Sequence, residues 1–286
     1  MMRLALPNKG RLADGARELL ERAGLELDMR ERALQAALGP DFTALFVNAR
    51  DIPEFVADGA ADAGITGGDL VAESGRPLET LLDLGFGRCH LAVAARDDSG
   101  WTATDDIPSG TRVATVFPNL ARQFFAAAGR AVVLVPISGA AEIAPHLGVA
   151  DVIVDLVSTG STLKVNGLRE IATVMESTAV LVARQEVTSD DRTVRQTREL
   201  TAALASVLRA QGQRYLMANV PRRVLPEIKR ILPGINGPTI IDLLNGGDFV
   251  AAHAVVDQRE VYRTIAQLKE VGAEGILVTR IERLMP

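Results

Sequence analysis

Residues 142–163, EIAPHLGVADVIVDLVSTGSTL, restrict what this chain can become more than any other stretch. The β-branched run Val152, Ile153, Val154 reads as a buried strand. It closes on an acid, Asp155, and a small hydroxyl-rich turn follows at once. Ser158, Thr159, Ser161 and Thr162 offer hydroxyls there, and Gly160 lets backbone N–H groups crowd around an oxyanion. A helix starting just beyond would add its positive end. Asp155 suits another task, because a carboxylate repels phosphate but accepts hydrogen bonds from vicinal ribose hydroxyls, as in dinucleotide folds. A sugar phosphate satisfies both halves. Ser-Thr-Gly-Ser-Thr alone is also a good helix entry in any α/β protein, so the turn by itself leaves a purely structural reading open.

The rest of the chain supplies the frame. Arg3 to Leu6 reads as a strand, and PNKGRL at 7–12 turns into a helix whose apolar positions Ala16, Leu19, Leu20 and Ala23 recur at helical spacing. A strand at Thr43 to Val47, a helix from Ile52-Pro53 and a short strand into Thr66-Gly67-Gly68-Asp69 continue the alternation. That order predicts a parallel sheet with ligands at the carboxyl ends of its strands. Leu91 to Ala95 crosses to a second lobe with strands at Arg112 to Ala114, Ala131 to Pro136 and Asp151 to Asp155, and Val180 to Ala183 crosses back. Two α/β lobes with a double crossover resemble the type II periplasmic-binding-protein architecture, in which the ligand sits between the lobes. The expected bounds are 1–92 with about 178–211 for lobe I and 93–177 for lobe II.

From Gln213 the elements read strand (Tyr215 to Asn219), helix (Arg223 to Leu232), strand (Thr239 to Leu244), strand (Phe249 to Val256), helix (Glu260 to Val271), strand (Gly275 to Ile281). This βαββαβ order predicts a ferredoxin-like (ACT-like) domain over 212–286. The charged stretch from Ser189 to Arg198 is expected to open a helix reaching Leu208.

A net charge of -5 and a pI near 5.4 argue against a polyanion-binding surface, so nucleic acid is not an expected partner. Any site for phosphate must be local. The single cysteine, Cys89, excludes an internal disulfide and a Cys-rich metal site. Pro7 and Lys9 interrupt the N-terminus before a signal-peptide core could form, and apolar runs such as Ala131 to Ile137 are far shorter than the ~20 residues of a membrane span. The expectation is a soluble cytoplasmic protein without a membrane partner.

Across its length the chain resembles the ATP phosphoribosyltransferase family, in its long form. Glu142 stands six before Gly148, and Asp155-Leu156 leads into Thr159-Gly160-x-Thr162-Leu163. PNKGRL, GITGGDL at 64–70, LGFG at 84–87, RVATVFPNL at 112–120 and PGINGPTI at 233–240 resemble family landmarks in the family's order. The resemblance implies that adenine N1 of ATP attacks C1 of 5-phosphoribosyl 1-pyrophosphate and expels pyrophosphate, the first step of histidine biosynthesis. It implies Mg²⁺ held mainly by substrate phosphates, with no dedicated protein ligand, and no general base.

On the same ground the phosphoribosyl group falls to Glu142, Asp155, Ser158, Thr159, Gly160, Ser161 and Thr162. ATP falls to Lys9, Gly10, Arg11, Asp69, Leu70, Thr115 and Phe117, with Phe117 stacking on the base; Lys9, Arg11 and Asp155 are the groups nearest the chemistry. Arg50 and Arg112 are weaker phosphate candidates. The family's arginine three before the acid at Asp51 is Asn48 here, and Arg50 lies close enough to substitute. The C-terminal domain would be regulatory, binding inhibitory histidine through Asn219, Ile235, Gly237, Thr239, Val255 and Gly275. AMP is a second candidate inhibitor, and self-association into dimers and hexamers is implied.

Several attractive patterns carry less. Glu142 and His146 have metal-motif spacing but no second histidine, and Pro145 intervenes. LGFGRCH lacks the third glycine of a dinucleotide fingerprint, and Cys89 reads as a small core residue. Two rivals remain open at this stage. One is a phosphoribosyltransferase of the common type, which carries two acids before its loop where this chain has Asp155-Leu156. The other is a two-lobed solute-binding or regulatory protein without turnover.

Overall fold

The computed structural model describes residues 1–28, 33–185, 191–244 and 247–285; Asp191 is described by its backbone alone, and Ser189, expected to open a helix, lies outside the described residues. Residues 1–201 form one compact unit and 202–286 another.

In the first unit two sheets share the chain. β1 (Met2–Pro7), β2 (Leu27–Asp28), β3 (Gln35–Leu38), β4 (Phe42–Val47), β5 (Ala63–Gly67) and β6 (Leu78–Asp83) enter the first, with α1 (Arg11–Arg22), α2 (Ile52–Ala57) and α3 (Gly68–Ser74) between them. β7 (Cys89–Arg96) crosses to the second sheet and joins β8 (Arg112–Thr115), β9 (Val133–Pro136), β10 (Val152–Val157) and β11 (Leu168–Ser177), with α4 (Pro118–Ala127) and α5 (Ser161–Val165). β12 (Ala179–Arg184) returns to the first sheet, and α6 (Asp191–Ala210) follows.

The sheet orders are β2-β3-β4-β1-β5-β12-β6 and β11-β7-β10-β8-β9. Each contains a parallel triplet, β4-β1-β5 and β9-β8-β10, next to the strand that has just crossed from the other lobe. A strand arriving from the opposite lobe runs the other way, so β12 and β7 are antiparallel to both neighbours. The parallel sheet expected from the alternation is thus mixed in each lobe, and the two-lobed double crossover is realised.

Local chemistry explains the elements. Met2, Leu4, Ala5 and Leu6 of β1 are buried on both faces, as a central parallel strand requires. α1 buries Ala13, Ala16, Leu19 and Leu20 at helical spacing, and Pro53 sits in the first turn of α2, where its missing N–H costs nothing. The hairpin of β2 and β3, and strands β6 and β11, were not read from sequence. β11 carries two register shifts, after Glu170 and after Thr173, which break the alternation that marks a strand. β10 runs to Val157 rather than ending at Asp155, because Asp155, Leu156 and Val157 pair with Ala92, Leu91 and His90 of β7.

The second unit contains β13 (Gln213–Pro221), α7 (Leu225–Ile231), β14 (Thr239–Asp242), β15 (Phe249–Asp257), α8 (Val261–Glu270) and β16 (Glu274–Arg280). Its antiparallel sheet has the order β14-β15-β13-β16, the ferredoxin-like arrangement. Leu216, Ala218 and Val220 of β13 and Val250, Ala252 and Ala254 of β15 alternate into a core with Ile228 and Leu268 from the helices. The first helix starts at Leu225 rather than Arg223, with a 3₁₀ turn before it: Pro226 is tolerated only in a helix's first turn.

Gly64 tests how tightly α2 presses on the first sheet. A Cβ there would lie 2.4 Å from Ile52 Cγ2 and 3.0 Å from Val56 Cγ2, both fully buried. Gly64→Ala is expected to lower the unfolding free energy by ~1–3 kcal/mol, read as a shifted denaturant midpoint with an unchanged m-value.

Candidate functional site

The carboxyl ends of both parallel triplets open onto one cleft of 260 Å³, lined by Arg11, Asn48, Arg50, Asp69, Phe117 and Asp155 among others. A smaller adjoining cavity of 100 Å³ is formed by Glu142, residues 155–160, Thr162 and Leu163, and the two share Asp155 and Leu156; Ser161 does not line it.

Each wall is held by identifiable bonds. Gly10 has φ +80° and turns the chain from β1 into α1, whose first residue is Arg11. The Arg11 guanidinium reaches the other lobe and donates to Ser158 Oγ at 2.8 Å. The turn after β5 is fixed by Asp69, which is buried: Ser177 Oγ donates to Asp69 Oδ1 at 2.6 Å and accepts from the Asp69 N–H at 3.0 Å. Gly67 is required beside it, since a Cβ would stand 2.3 Å from Asp69 Oδ1. Four residues on, one turn along α3, Glu73 caps α4 of the other lobe by accepting from the Asn119 N–H at 3.0 Å and the Leu120 N–H at 2.9 Å. Sequence reasoning missed Glu73, although its i,i+4 spacing from Asp69 places both on one helix face.

The hydroxyl-rich turn behaves as its composition demands. Gly160 adopts φ +70°, Thr159 Oγ1 and Ser161 Oγ lie 2.9 Å apart, and α5 starts at Ser161. Asp155 accepts from the Leu156 N–H at 2.8 Å. Burial raises its pKa above the usual carboxylate value; that hydrogen bond opposes the shift, nearby Glu142 reinforces it, and Arg50 opposes it. Glu142 and Asp155 are two carboxylates at one small cavity, a donor set that fits an ion keeping most of its water and phosphate ligands. Among the described residues no group of three His, Cys, Asp or Glu could hold a metal ion alone.

Other sequence candidates are placed differently. Lys9 is exposed and is not among the cleft-lining residues. Thr115 is fully buried: its hydroxyl donates to the Val154 carbonyl at 2.7 Å and accepts from the Phe117 N–H at 2.8 Å, so it holds the turn instead of lining the site. Phe117 does line the cleft, yet it is 1 % exposed, belongs to the second-lobe core and carries the Arg50 guanidinium 5.7 Å from its ring centre. Arg112 is consumed by structure, bonding Asp151 at 2.7 Å and the Gly148 carbonyl at 2.6 Å. Cys89, expected in the core, is half-buried on the cleft wall. Its thiol pKa is raised by burial and by Asp69, which leaves it protonated and a poor nucleophile. His146 Nε2 lies 2.6 Å from the Asn166 carbonyl, which requires a proton on that nitrogen and removes it as a metal ligand.

In the second unit Asn219 and Gly275 adjoin, a Cβ on Gly275 falling 3.4 Å from Asn219 Nδ2. The Gly237 N–H closes the loop before β14 onto the Pro233 carbonyl at 2.9 Å, Ile235 is exposed, and Thr239 pairs with His253. Val255 faces Tyr215 while Asn219 faces Ala251, four residues away on the same strand, or roughly 13 Å. These residues are therefore spread along the sheet of the second unit.

Comparison with known proteins agrees with this architecture. Residues 48–206 match the family profile described as ATP phosphoribosyltransferase, and 210–283 match that of the HisG C-terminal domain. The chain is 60% identical to an ATP phosphoribosyltransferase of Gemmatimonas aurantiaca, over the full length of both. It is 49% identical to one of Haloarcula marismortui, over 99% of this chain and all of the relative. Among solved structures it is similar to the ATP phosphoribosyl transferase (HisG:HisZ) complex from Thermotoga maritima, with TM-score 0.62 and 26% identity over 72% of this chain and 99% of that one.

The raised pKa of Asp155 has a measurable sign. The folded protein holds that proton more tightly than the unfolded chain, so ionisation costs stability above the raised value and costs nothing below the ordinary one. Asp155→Asn is expected to raise Tm at neutral pH, the gain shrinking as pH falls through the carboxylate range. Thermal scans across pH check this; a lower Tm for the variant at pH 7 contradicts it.

Proposed function

The chain belongs to the ATP phosphoribosyltransferase family, a pentosyltransferase family acting at the first step of histidine biosynthesis, and from that premise we propose how this cleft joins its substrates. N1 of ATP's adenine forms a bond to C1 of the ribose of 5-phosphoribosyl 1-pyrophosphate as the bond from C1 to the pyrophosphate oxygen breaks. Adenine N1 already carries a lone pair, so the protein supplies position and charge rather than a base. Alignment of two bound reactants is worth roughly 7–11 kcal/mol in the best cases.

The observation that carries this reading is the pairing of the hydroxyl-rich turn with the partly buried Asp155 on one wall of the cleft. Ser158, Thr159, Gly160, Ser161 and Thr162 take the 5-phosphate. Asp155 and Glu142 take the ribose hydroxyls, the carboxylate that is costly to bury gaining two donors. Arg11 turns from Ser158 to substrate phosphates, with Lys9 and Gly10 at the same turn, while Asp69 and Leu70 border the adenine end. Thr115 contributes by holding the turn that presents Phe117. Mg²⁺ bound on the phosphates would offset their charge and ease departure of pyrophosphate.

The second unit is proposed to sense histidine through Asn219, Ile235, Gly237, Thr239, Val255 and Gly275, with AMP as a further inhibitor. Their separation along the sheet suits a site completed by another copy of the chain, in a dimer or hexamer. The coupling is expected at the usual ~1–3 kcal/mol.

Incubation with ATP, Mg²⁺ and 5-phosphoribosyl 1-pyrophosphate should give the ultraviolet change of N1-substituted adenine. Thr162→Val or Gly160→Val should cost on the order of 10²–10³ in kcat if the turn holds reacting charge; retained rate would remove the turn from the site. Added histidine should lower the wild-type rate, and unchanged activity with no detectable binding would discard the regulatory assignment.

A further inference from the structure

Arg50 stands apart from the other charged groups of the cleft. Arg11 and Arg50 are the cationic residues among those lining the two joined cavities, and Arg11 is bonded to Ser158. The backbone carrying Arg50 is fixed. Its N–H donates to Asn48 Oδ1 at 3.1 Å, the Asp51 N–H donates to the Asn48 carbonyl at 2.9 Å, and Thr66 Oγ1 donates to the Ala49 carbonyl at 2.7 Å. Its side chain is not fixed in this way: among the described residues the guanidinium has no hydrogen bond or ion pair, and rests over the Phe117 ring at 5.7 Å. A hydrogen-bonded turn thus presents a cation that rests on the aromatic ring of the cleft wall.

We propose that Arg50 is a two-position catalytic residue: adenine displaces its guanidinium from Phe117 and takes the ring, and the released guanidinium binds the departing pyrophosphate. The role rests on the transfer reading above and adds a coupling between the two substrates. A cation–π contact made by an exposed arginine is weak. A stacked base replaces it at comparable or better strength, and charge-assisted, bidentate bonds to phosphate are stronger again. The base alone makes the exchange at least neutral, and base and diphosphate together drive it downhill. Nucleotide binding would in this way prepare the cation that stabilises charge on the leaving group, and Arg50 neither gives nor takes a proton. Asn48 acts indirectly, its carboxamide holding the turn from which Arg50 swings.

The test uses full-length protein carrying Arg50→Gln or Arg50→Lys. Binding of adenosine and of pyrophosphate is measured by calorimetry, alongside kcat, KM and Tm. Arg50→Gln is expected to weaken pyrophosphate about tenfold or more, the size of losing a charge-assisted contact, and to lower kcat, while adenosine binds as well as or better than to wild type. Arg50→Lys should recover part of the pyrophosphate affinity. A role confined to stability would lower Tm and weaken both ligands alike. Pyrophosphate affinity within twofold of wild type, or adenosine weakened in proportion, overturns the proposal. A wild-type protein that shows no turnover would sink the transfer reading, and the two binding measurements would still decide the exchange at Phe117.

Discussion

The paired crossover segments are the constraint on which the rest of the first unit depends. The Leu84 N–H donates to the Ala179 carbonyl at 2.9 Å, and the Ala179 N–H donates to the Phe86 carbonyl at 2.9 Å, so the outgoing and returning chains lie side by side. Thr178 Oγ1 bonds Asp83 at 2.8 Å, and the Gly68 N–H bonds the Thr178 carbonyl at 2.9 Å. Ser177, one residue earlier, orders Asp69 on the cleft wall. One short strip of backbone therefore joins the two sheets and sets a wall of the site. Glycine makes the strip possible: a Cβ on Gly87 would lie 2.7 Å from Leu12 Cδ2, and one on Gly15 would lie 2.3 Å from the Phe86 ring.

Further hydrogen bonds span the lobes, from Arg11 to Ser158 and from the first turn of α4 to Glu73. Both involve charged groups, and cations are few at the cleft. In a protein of net charge -5 the cleft draws on Arg11 and Arg50 for cations, while Asp155 and Glu142 add negative charge beside the hydroxyl-rich turn. Asp155 is partly buried at a cost, its pKa raised chiefly by that burial.

Much of the site was legible because its chemistry is local in sequence. The run from Asp155 to Thr162 contains acid, hydroxyls and the glycine whose φ of +70° the turn requires, so pattern and conformation coincide. Misreadings came where a residue's neighbours are distant in the chain. Thr115 looked like a ligand residue until its hydroxyl was found bonded to Val154, thirty-nine residues on. Arg112 is claimed by Asp151, and Cys89 faces the cleft because β7 enters its sheet between β10 and β11. Strand β11 escaped notice because its bulges scramble the alternation that periodicity reading depends on.

By itself the sequence determined the α/β alternation, the two crossings, the βαββαβ order of the second unit and the family to which the chain belongs. These follow from hydrophobic periodicity, glycine and proline placement, and motifs a few residues long, all of which act over one or two turns of chain. Only the tertiary structure decided which strands run antiparallel, which charged groups are already spoken for, and that the guanidinium of Arg50 lies over Phe117. The physical reason is that direction of pairing and satisfaction of a charge depend on which distant segments meet, and burial, not local propensity, selects those meetings.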